Sequence, residues 1–256
     1  MKHRIAVYTS IFGGYEGLLP QRRIAGVDFL CFTDGDVRAR PWKTVRVAPC
    51  VGDATRDSRR YKLLPHRFLK DHDVSIWMDA NYLLVGDVHG LIDLALASSN
   101  MGVFGHNQTV LDPRDCLYDE FDAIMRLHNE NNAYKDDPGV MAAQMKRYRS
   151  EEYPANNGLA FTAAIVRSHH APDVVRTMER WWGEVSQGSR RDQLSFNYAA
   201  WKENLSYTVI DGDLRDGQWF YMIGAHRKDY RWKLLRYRLR RVLGITRHKT
   251  SMKGMT

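Results

Sequence analysis

An acid and an amide follow a short apolar segment in the first half of the chain. Residues 74–78 are predicted to form a buried strand, and Asp79 and Asn81 come directly after it. Residues two apart at the end of a strand point to the same side. Their oxygens can hold a divalent cation that bridges a diphosphate. The alternative is that Asp79 only caps the turn that follows.

Two basic residues, Arg59 and Lys62, stand three apart in a segment that the apolar spacing predicts to be helical, residues 58–70. Residues with this spacing share one face of a helix. An arginine offers a bidentate contact to phosphate oxygens and a lysine offers a compact charge, so the pair suits a phosphate-rich ligand. A solvated basic face is the alternative.

A glycine pair, Gly13 and Gly14, follows the first predicted strand, residues 5–9. Glycine lets the backbone approach a ligand closely, so the segment from Thr9 to Tyr15 is a candidate ligand-binding loop. The segment matches neither the dinucleotide-binding motif nor the phosphate-binding P-loop. A tight turn without a ligand is the alternative.

Strands and helices alternate along the chain, which is typical of βαβ units and a mostly parallel sheet. The predicted strands are residues 5–9, 28–34, 44–48, 74–78, 101–104 and 159–166. The predicted helices are residues 58–70, 112–128, 141–148, 172–185 and 191–201, and Pro65 must kink or end the first of them. Ligands of such sheets bind beyond the carboxyl ends of the strands. The polar residues predicted to lie there are Thr9, Ser10, Asp34, Asp79, Asn81 and His106.

The composition excludes several classes of protein. A chain of 256 residues buries enough surface to fold without disulfides or a structural metal. Its three cysteines are widely separated and form no CxxC pair, which favours a reducing compartment. The sequence has no signal-peptide pattern and no apolar run approaching the roughly 20 residues of a membrane span. We therefore expect a cytoplasmic protein.

The net charge of +8 is concentrated near the C-terminus, where residues 227–249 hold ten Lys or Arg and one acid. The rest of the chain is nearly neutral. A nucleic-acid-binding core would carry its charge on a folded face, so no nucleic-acid partner is expected. We predict one domain over residues 1–226 and a basic amphipathic tail over residues 227–256.

The tail is predicted to contain a helix with an apolar stripe among basic residues. The apolar residues that fall on one side of this helix are Trp232, Leu235, Leu239, Val242 and Leu243. A basic amphipathic helix is typical of attachment to an anionic membrane surface. Packing of the helix on its own domain is the alternative.

Four motifs occur in an order that resembles a known family. They are residues 5–15, ending in Phe12-Gly13-Gly14-Tyr15; Phe32-Thr33-Asp34; residues 59–66, from Arg59-Arg60-Tyr61-Lys62 to His66; and residues 75–81, ending in Asp79-Ala80-Asn81. The chain is similar over about residues 4–226 to a glycosyltransferase-like family long known as a domain of unknown function. That family occurs in bacterial polysaccharide loci and in plant Golgi proteins related to mucilage and cell-wall synthesis.

The resemblance implies an α/β fold of the GT-A type, with a Rossmann-like nucleotide-binding half, a nucleotide-sugar donor, and Mn²⁺ or Mg²⁺. Thr9, Ser10 and Tyr15 would line the nucleoside pocket, and Asp34 would approach the base or ribose. Arg59 and Lys62 would face the diphosphate. The implied metal ligands are Asp79, Asn81 and, as a third ligand, His226. Because Asn81 is neutral, we expect weaker metal binding than in the broader class, which has two carboxylates.

The sugar end of the donor is assigned by the same resemblance. Asp192 would hydrogen-bond the sugar or act as the base that deprotonates the acceptor; an acid that interacts with the dipole at a helix start is the alternative. His106 and Asn157 are expected near the donor, although a simple turn explains Asn157 equally well. Among the tryptophans, Trp219 is the one we expect to stack on a sugar.

The leading hypothesis is transfer of a sugar from a nucleotide donor to a saccharide or lipid-linked acceptor, in the synthesis of surface polysaccharide. One alternative is a nucleotide- or glycan-binding protein without catalytic activity. Another is a basic scaffold that binds membranes or polyanions through its tail. Under the enzyme hypothesis, we expect the protein to bind peripherally to the inner face of the membrane.

Overall fold

The computed structural model describes residues 3–110, 112–131, 136–224 and 230–244. Nine strands are found in these ranges. The strands are β1 (Ile5–Ile11), β2 (Val27–Thr33), β3 (Lys43–Arg46), β4 (Val74–Met78), β5 (Tyr82–Leu84), β6 (Met101–Gly105), β7 (Ala160–Arg167), β8 (Thr208–Ile210) and β9 (Phe220–Met222).

The same ranges contain eight α-helices. They are α1 (Ala54–Leu63), α2 (Pro65–Phe68), α3 (Val88–Ala95), α4 (Leu117–Asn131), α5 (Pro138–Ser150), α6 (Pro172–Gln187), α7 (Phe196–Lys202) and α8 (Tyr230–Val242). In these parts of the chain, no helix combines the length and the apolar character needed to cross a bilayer.

Seven strands form one sheet in the order β3-β2-β1-β4-β7-β6-β8. Only β7 in this sheet runs against its neighbours, since it pairs antiparallel with both β4 and β6. The strands β5 and β9 form a separate antiparallel pair. The prediction of an α/β fold with a mostly parallel central sheet is therefore confirmed.

Helices cover both faces of the sheet because the central strands are buried on both sides. In β1, Val7 belongs to a core that includes Leu91 of α3, whereas the adjacent Tyr8 belongs to a second core that includes Trp181 of α6. Successive side chains of a strand point to opposite faces. The strands β1 and β4, which are buried along their whole length, therefore supply both cores, as expected for interior parallel strands.

Several predicted elements have different bounds in the structure. The helix predicted over residues 58–70 begins earlier, at Ala54, because the Asp53 side chain accepts hydrogen bonds from the amides of Thr55 and Arg56. Pro65 ends α1 and begins the separate α2. The helix predicted over residues 191–201 was wrong at its start, where a single 3₁₀ turn over residues 192–194 precedes α7.

Candidate functional site

A cavity of about 570 Å³ opens at the carboxyl ends of β1 and β4. From β1 the chain proceeds to β2 on one side and later returns to β4 on the other. Ligands of open α/β sheets bind at this kind of switch point in strand order. Its walls come from residues 10–16, α1, the exit of β4, β7 and residues 190–193. We call it the switch-point cavity.

Helix α1 forms the basic wall of the switch-point cavity. Its first turn is capped by Asp53, and its position against β1 is fixed by Ser10, whose hydroxyl donates to the Ser58 carbonyl at 2.9 Å. Arg59 and Lys62 lie three residues apart on the face that lines the cavity. The structure therefore places the two side chains on one face of the helix, as predicted from their spacing.

Both cations of α1 meet the carboxylate of Asp192. The Lys62 Nζ lies 2.6 Å from Asp192 Oδ2, and the Arg59 Nε lies 2.7 Å from Oδ1. The Thr162 hydroxyl, on β7, also donates to Oδ2 at 2.9 Å. Burial opposes ionisation of Asp192, but the two positive charges more than offset it and hold its pKa well below the usual range. So weak a base is poorly suited to deprotonate an acceptor hydroxyl at neutral pH.

Asp79 reaches the cavity from the exit of β4. Its backbone amide donates to the Ala163 carbonyl at 2.8 Å, which extends the pairing between β4 and β7. Its Oδ1 accepts from the indole of Trp77 at 2.9 Å and lies 3.9 Å from Lys62 Nζ. The side chain is 31% exposed, in contrast to the buried Asp192. Asp79 therefore presents its carboxyl oxygens to a molecule in the cavity.

Glu16 is a second carboxyl in the cavity, and the sequence analysis did not select it. It lies just beyond the glycine loop and lines the cavity with Asp79. Burial raises the pKa of Glu16 to about 7, the negative charge of Asp79 adds to the shift, and Arg59 reduces it. Its position directly after Tyr15, in a loop already considered a ligand site, was the signal available in the sequence.

The raised pKa of Glu16 predicts that Glu16→Gln stabilises the protein at pH 8. Below about pH 4.5 the Glu16 carboxyl is protonated in both the folded and the unfolded state, so it does not change the free energy of unfolding. Between that pH and the folded value of about 7, the unfolded state ionises first, so stability falls as pH rises. Glutamine removes this loss, and we expect a gain of about 3 kcal/mol at pH 8 relative to pH 5. Urea unfolding at pH 5 and pH 8 measures it; an equal effect at both values would refute the assignment.

Six of the predicted site residues line the switch-point cavity. They are Ser10, Tyr15, Arg59, Lys62, Asp79 and Asp192. They come from four separate segments of the sequence, and the sheet topology brings them together. The individual roles of these six residues remain predictions.

Thr9, Asp34 and His106 lie near the cavity but outside its lining. The Thr9 side chain is fully buried, and its hydroxyl finds no hydrogen-bond partner in the described part of the chain. Both oxygens of Asp34 accept from the Gly13 amide, at 3.1 and 3.0 Å. The buried His106 ring lies 5.2 Å from the ring of Phe161, which itself lines the cavity. Asp34 thus supports the glycine loop, and His106 lies behind the wall.

Asn81, Asn157 and Trp219 are likewise outside the lining. The Asn81 carbonyl accepts from the Ile223 amide at 2.9 Å, and the side chain of Asn157 is exposed. Trp219 packs closely against Gly86. His226 falls outside the described residues. In the part of the chain that the structure describes, no three His, Cys, Asp or Glu side chains are grouped so that they could hold a metal ion.

We predict that alanine destabilises the protein more at Gly13 than at the neighbouring Gly14. Gly13 has φ of +63°, and a Cβ there would meet the Ala54 Cβ at 2.9 Å; Gly14 has φ of +56° and open space around it. Gly14→Ala is expected to cost about 1 kcal/mol from backbone strain alone. Gly13→Ala should cost about 1 kcal/mol more, since it also displaces α1. Equal losses in thermal or urea unfolding would exclude this close approach of loop and helix.

Comparison with known proteins identifies the family. Residues 32–210 match the model of the TOD1/MUCI70 glycosyltransferase-like domain. The chain is 25% identical over 173 residues to a protein named "Probable hexosyltransferase MUCI70" from Arabidopsis thaliana, covering 64% of this chain and 28% of that protein. The chain thus spans little more than a quarter of that relative's length.

A solved structure also aligns with the chain. The apo form of mouse xyloside xylosyltransferase 1 aligns with a TM-score of 0.43 and 10% identity, over 82% of this chain and 86% of that one. The match to the family model covers most of the chain, including the cavity-lining segments of α1, β4, β7 and residues 190–193. The resemblance to this family is therefore confirmed over residues 32–210, which contain three of the four motifs, and the chain belongs to the TOD1/MUCI70 glycosyltransferase-like domain family.

Proposed function

We propose that the protein transfers a sugar from a nucleotide-sugar donor, bound in the switch-point cavity, to a saccharide or lipid-linked acceptor. The observation that carries the proposal is the meeting of Arg59, Lys62 and Asp79 at the carboxyl ends of β1 and β4. Phosphate oxygens of a donor require cations, and a departing diphosphate develops further negative charge. The family name supports glycosyl transfer, and the name of the plant relative supports a hexose as the transferred sugar.

Arg59 is the cation best placed to contact the diphosphate. Its side chain is 25% exposed, whereas Lys62 is 1% exposed and lies behind it against Asp192. The buried lysine keeps positive potential in the cavity wall, where the surroundings screen it less than water does. Ser10 and Tyr15 also line the cavity, and we assign them to the nucleoside.

Asp192 acts in this proposal as a positioning residue. Its carboxylate fixes Arg59 and Lys62 in one orientation and, with Thr162, ties α1 to β7. Groups held in place before the reaction stabilise developing charge without a cost of reorganisation. The role of acceptor base assigned to Asp192 by resemblance is less compatible with its lowered pKa.

A divalent cation, Mg²⁺ or Mn²⁺, fits the chemistry of the cavity. Asp79 and Glu16 supply hard oxygen ligands in one cavity, and Mg²⁺ is commonly held by one or two carboxylates together with substrate phosphates. When bound, such a cation would supply charge neutralisation at the diphosphate. We propose Asp79 as its principal ligand. Of the further ligands that the family resemblance suggests, Asn81 lies outside the cavity lining and is not part of this proposal, and His226 falls outside the described residues.

We also propose that the protein works in the cytoplasm, peripherally at the inner face of the membrane. All three cysteines are free thiols, and Cys50 is exposed, which suits a reducing compartment. A lipid-linked acceptor would account for a position at the membrane surface.

A donor screen tests the proposed activity directly. The protein is incubated with UDP-, GDP-, CDP- and dTDP-sugars, with Mn²⁺, with Mg²⁺ or with chelator, and release of the nucleoside diphosphate is measured. We expect release from one class of donor, dependent on the cation and increased by an acceptor. Tight nucleotide binding without turnover of any donor would instead support a binding protein.

A further inference from the structure

The C-terminal helix α8 presents two different apolar faces. The inner face contributes Leu234 and Tyr237, which are 8% and 4% exposed and pack in one cluster with Leu19 and Ile223. The ring of Tyr237 lies 4.5 Å from that of Tyr221 on β9. These contacts agree with the alternative stated for this helix, that it packs on its own domain. Helix α8 therefore packs against the rest of the protein through this face.

The outer face of α8 is apolar and exposed. From Trp232 to Val242 its side chains lie three or four residues apart, which places them in one stripe along the helix, and Leu243 follows directly after the helix ends. The stripe consists of Trp232 (72% exposed), Leu235 (45%), Leu239 (54%), Val242 (82%) and Leu243 (70%). Contiguous apolar surface of this kind marks an interaction site, whereas scattered single residues do not.

The charges of α8 indicate what covers this stripe. The helix contains six basic residues and no acid; the basic residues are Arg231, Lys233, Arg236, Arg238, Arg240 and Arg241. A second copy of α8 would bring like charges together along the whole contact. The phosphate backbone of a nucleic acid would match the charge but leave the leucines and the tryptophan in water. An anionic bilayer matches both, with headgroups for the cations and acyl chains for the stripe.

The position of α8 relates this surface to the switch-point cavity. Leu19, in the cluster beneath α8, lies three residues after Glu16 in the segment between β1 and β2, whose Tyr15 and Glu16 line the cavity. Ile223 of the same cluster donates to the Asn81 carbonyl, two residues beyond Asp79. The cluster beneath α8 is thus connected by short segments of the chain to two walls of the switch-point cavity.

We propose that the outer face of α8 docks on an anionic lipid bilayer and brings the rim of the switch-point cavity to the lipid surface, where the acceptor is lipid-linked. The assignment of the acceptor rests on the proposed transferase function. The docking itself depends only on α8.

Vesicle flotation of the full chain tests the docking. The probes are phosphatidylcholine vesicles with and without phosphatidylglycerol, at low and high salt. We expect binding to anionic vesicles that weakens with salt, and a loss of at least about tenfold in the double variant Trp232→Ser/Leu239→Ser. The matched control is Leu94→Ser on α3, where the leucine is 44% exposed; it should bind like the unsubstituted protein.

Three outcomes would overturn the docking. They are equal binding to neutral and anionic vesicles, unchanged binding by the double variant, and a dimer in sedimentation analysis that the double variant converts to monomer without any vesicle binding. The assignment of the acceptor predicts that the double variant keeps donor hydrolysis and loses transfer to membrane-extracted lipid. Docking without turnover of any donor would remove the transferase function and leave the docking intact, so the two failures are distinguishable.

Discussion

Asp192→Asn is expected to destabilise the protein by about 3–5 kcal/mol and to abolish most of its activity, because it leaves the buried charge of Lys62 with only the more distant carboxylate of Asp79, at 3.9 Å. Lys62 is 1% exposed, and Asp192 is its nearest ionic partner at 2.6 Å. Loss of the shared carboxylate also frees Arg59, and misplacement of a positioned group by about 1 Å costs on the order of 10²-fold in rate. Urea unfolding and donor turnover measure the two effects.

A double variant separates stability from activity at this cluster. Lys62→Met combined with Asp192→Leu removes both charges and fills the space with apolar atoms, a replacement that is often neutral for buried ion pairs. We expect it to recover most of the stability lost in Asp192→Asn while remaining inactive. A single Asp192→Asn variant with unchanged stability would show that the buried lysine is not held by this carboxylate.

Asp79→Ala is expected to lower kcat/KM by about 10²- to 10³-fold with little change in stability. It removes the proposed principal ligand of the divalent cation, and that cation would stabilise the negative charge that develops on the diphosphate. The side chain is 31% exposed, so its loss leaves no unpaired buried charge comparable with that in Asp192→Asn. The dependence on Mn²⁺ or Mg²⁺ should be lost with the activity. Donor turnover across a titration of the cation measures both.

Asn81→Ala is the matched control for Asp79→Ala. Asn81 lies two residues away and outside the cavity lining, and its carbonyl pairs with the Ile223 amide whatever its side chain is. We expect a change of about twofold or less, as for surface substitutions away from a site. An equally large loss in Asn81→Ala would restore the acid-x-amide pair as the cation site and would contradict the arrangement described for Asp79.

Much of the site was predictable because it depends on local periodicity. Arg59 and Lys62 share a face because a helix places residues three apart together, and Asp79 reaches a strand end because the apolar run of residues 74–78 stops there. The carboxyl ends of parallel strands lie at one edge of the sheet. These three facts together locate the cavity from the sequence.

Other features depend on contacts between distant segments, which local patterns do not encode. The strand pair β5 and β9 joins residues nearly 140 positions apart, and its pairing draws the Asn81 carbonyl toward Ile223. Thr162 meets Asp192 only because β7 enters the sheet antiparallel beside β4. The low pKa of Asp192 likewise follows from its two partners on α1, whereas the sequence suggested a helix start.

Nucleotide binding that depends on Arg59 tests the central claim most directly. Thermal unfolding is followed with UDP, GDP, CDP and dTDP, with and without Mn²⁺, for the unsubstituted protein and for Arg59→Met. At about 100 times its Kd, a nucleotide stabilises the folded state by about 2.7 kcal/mol. We predict that one nucleoside diphosphate raises the Tm of the unsubstituted protein and that Arg59→Met loses most of this increase. No increase with any of the four, or an increase that Arg59→Met retains in full, would contradict the assignment of the switch-point cavity as the donor site.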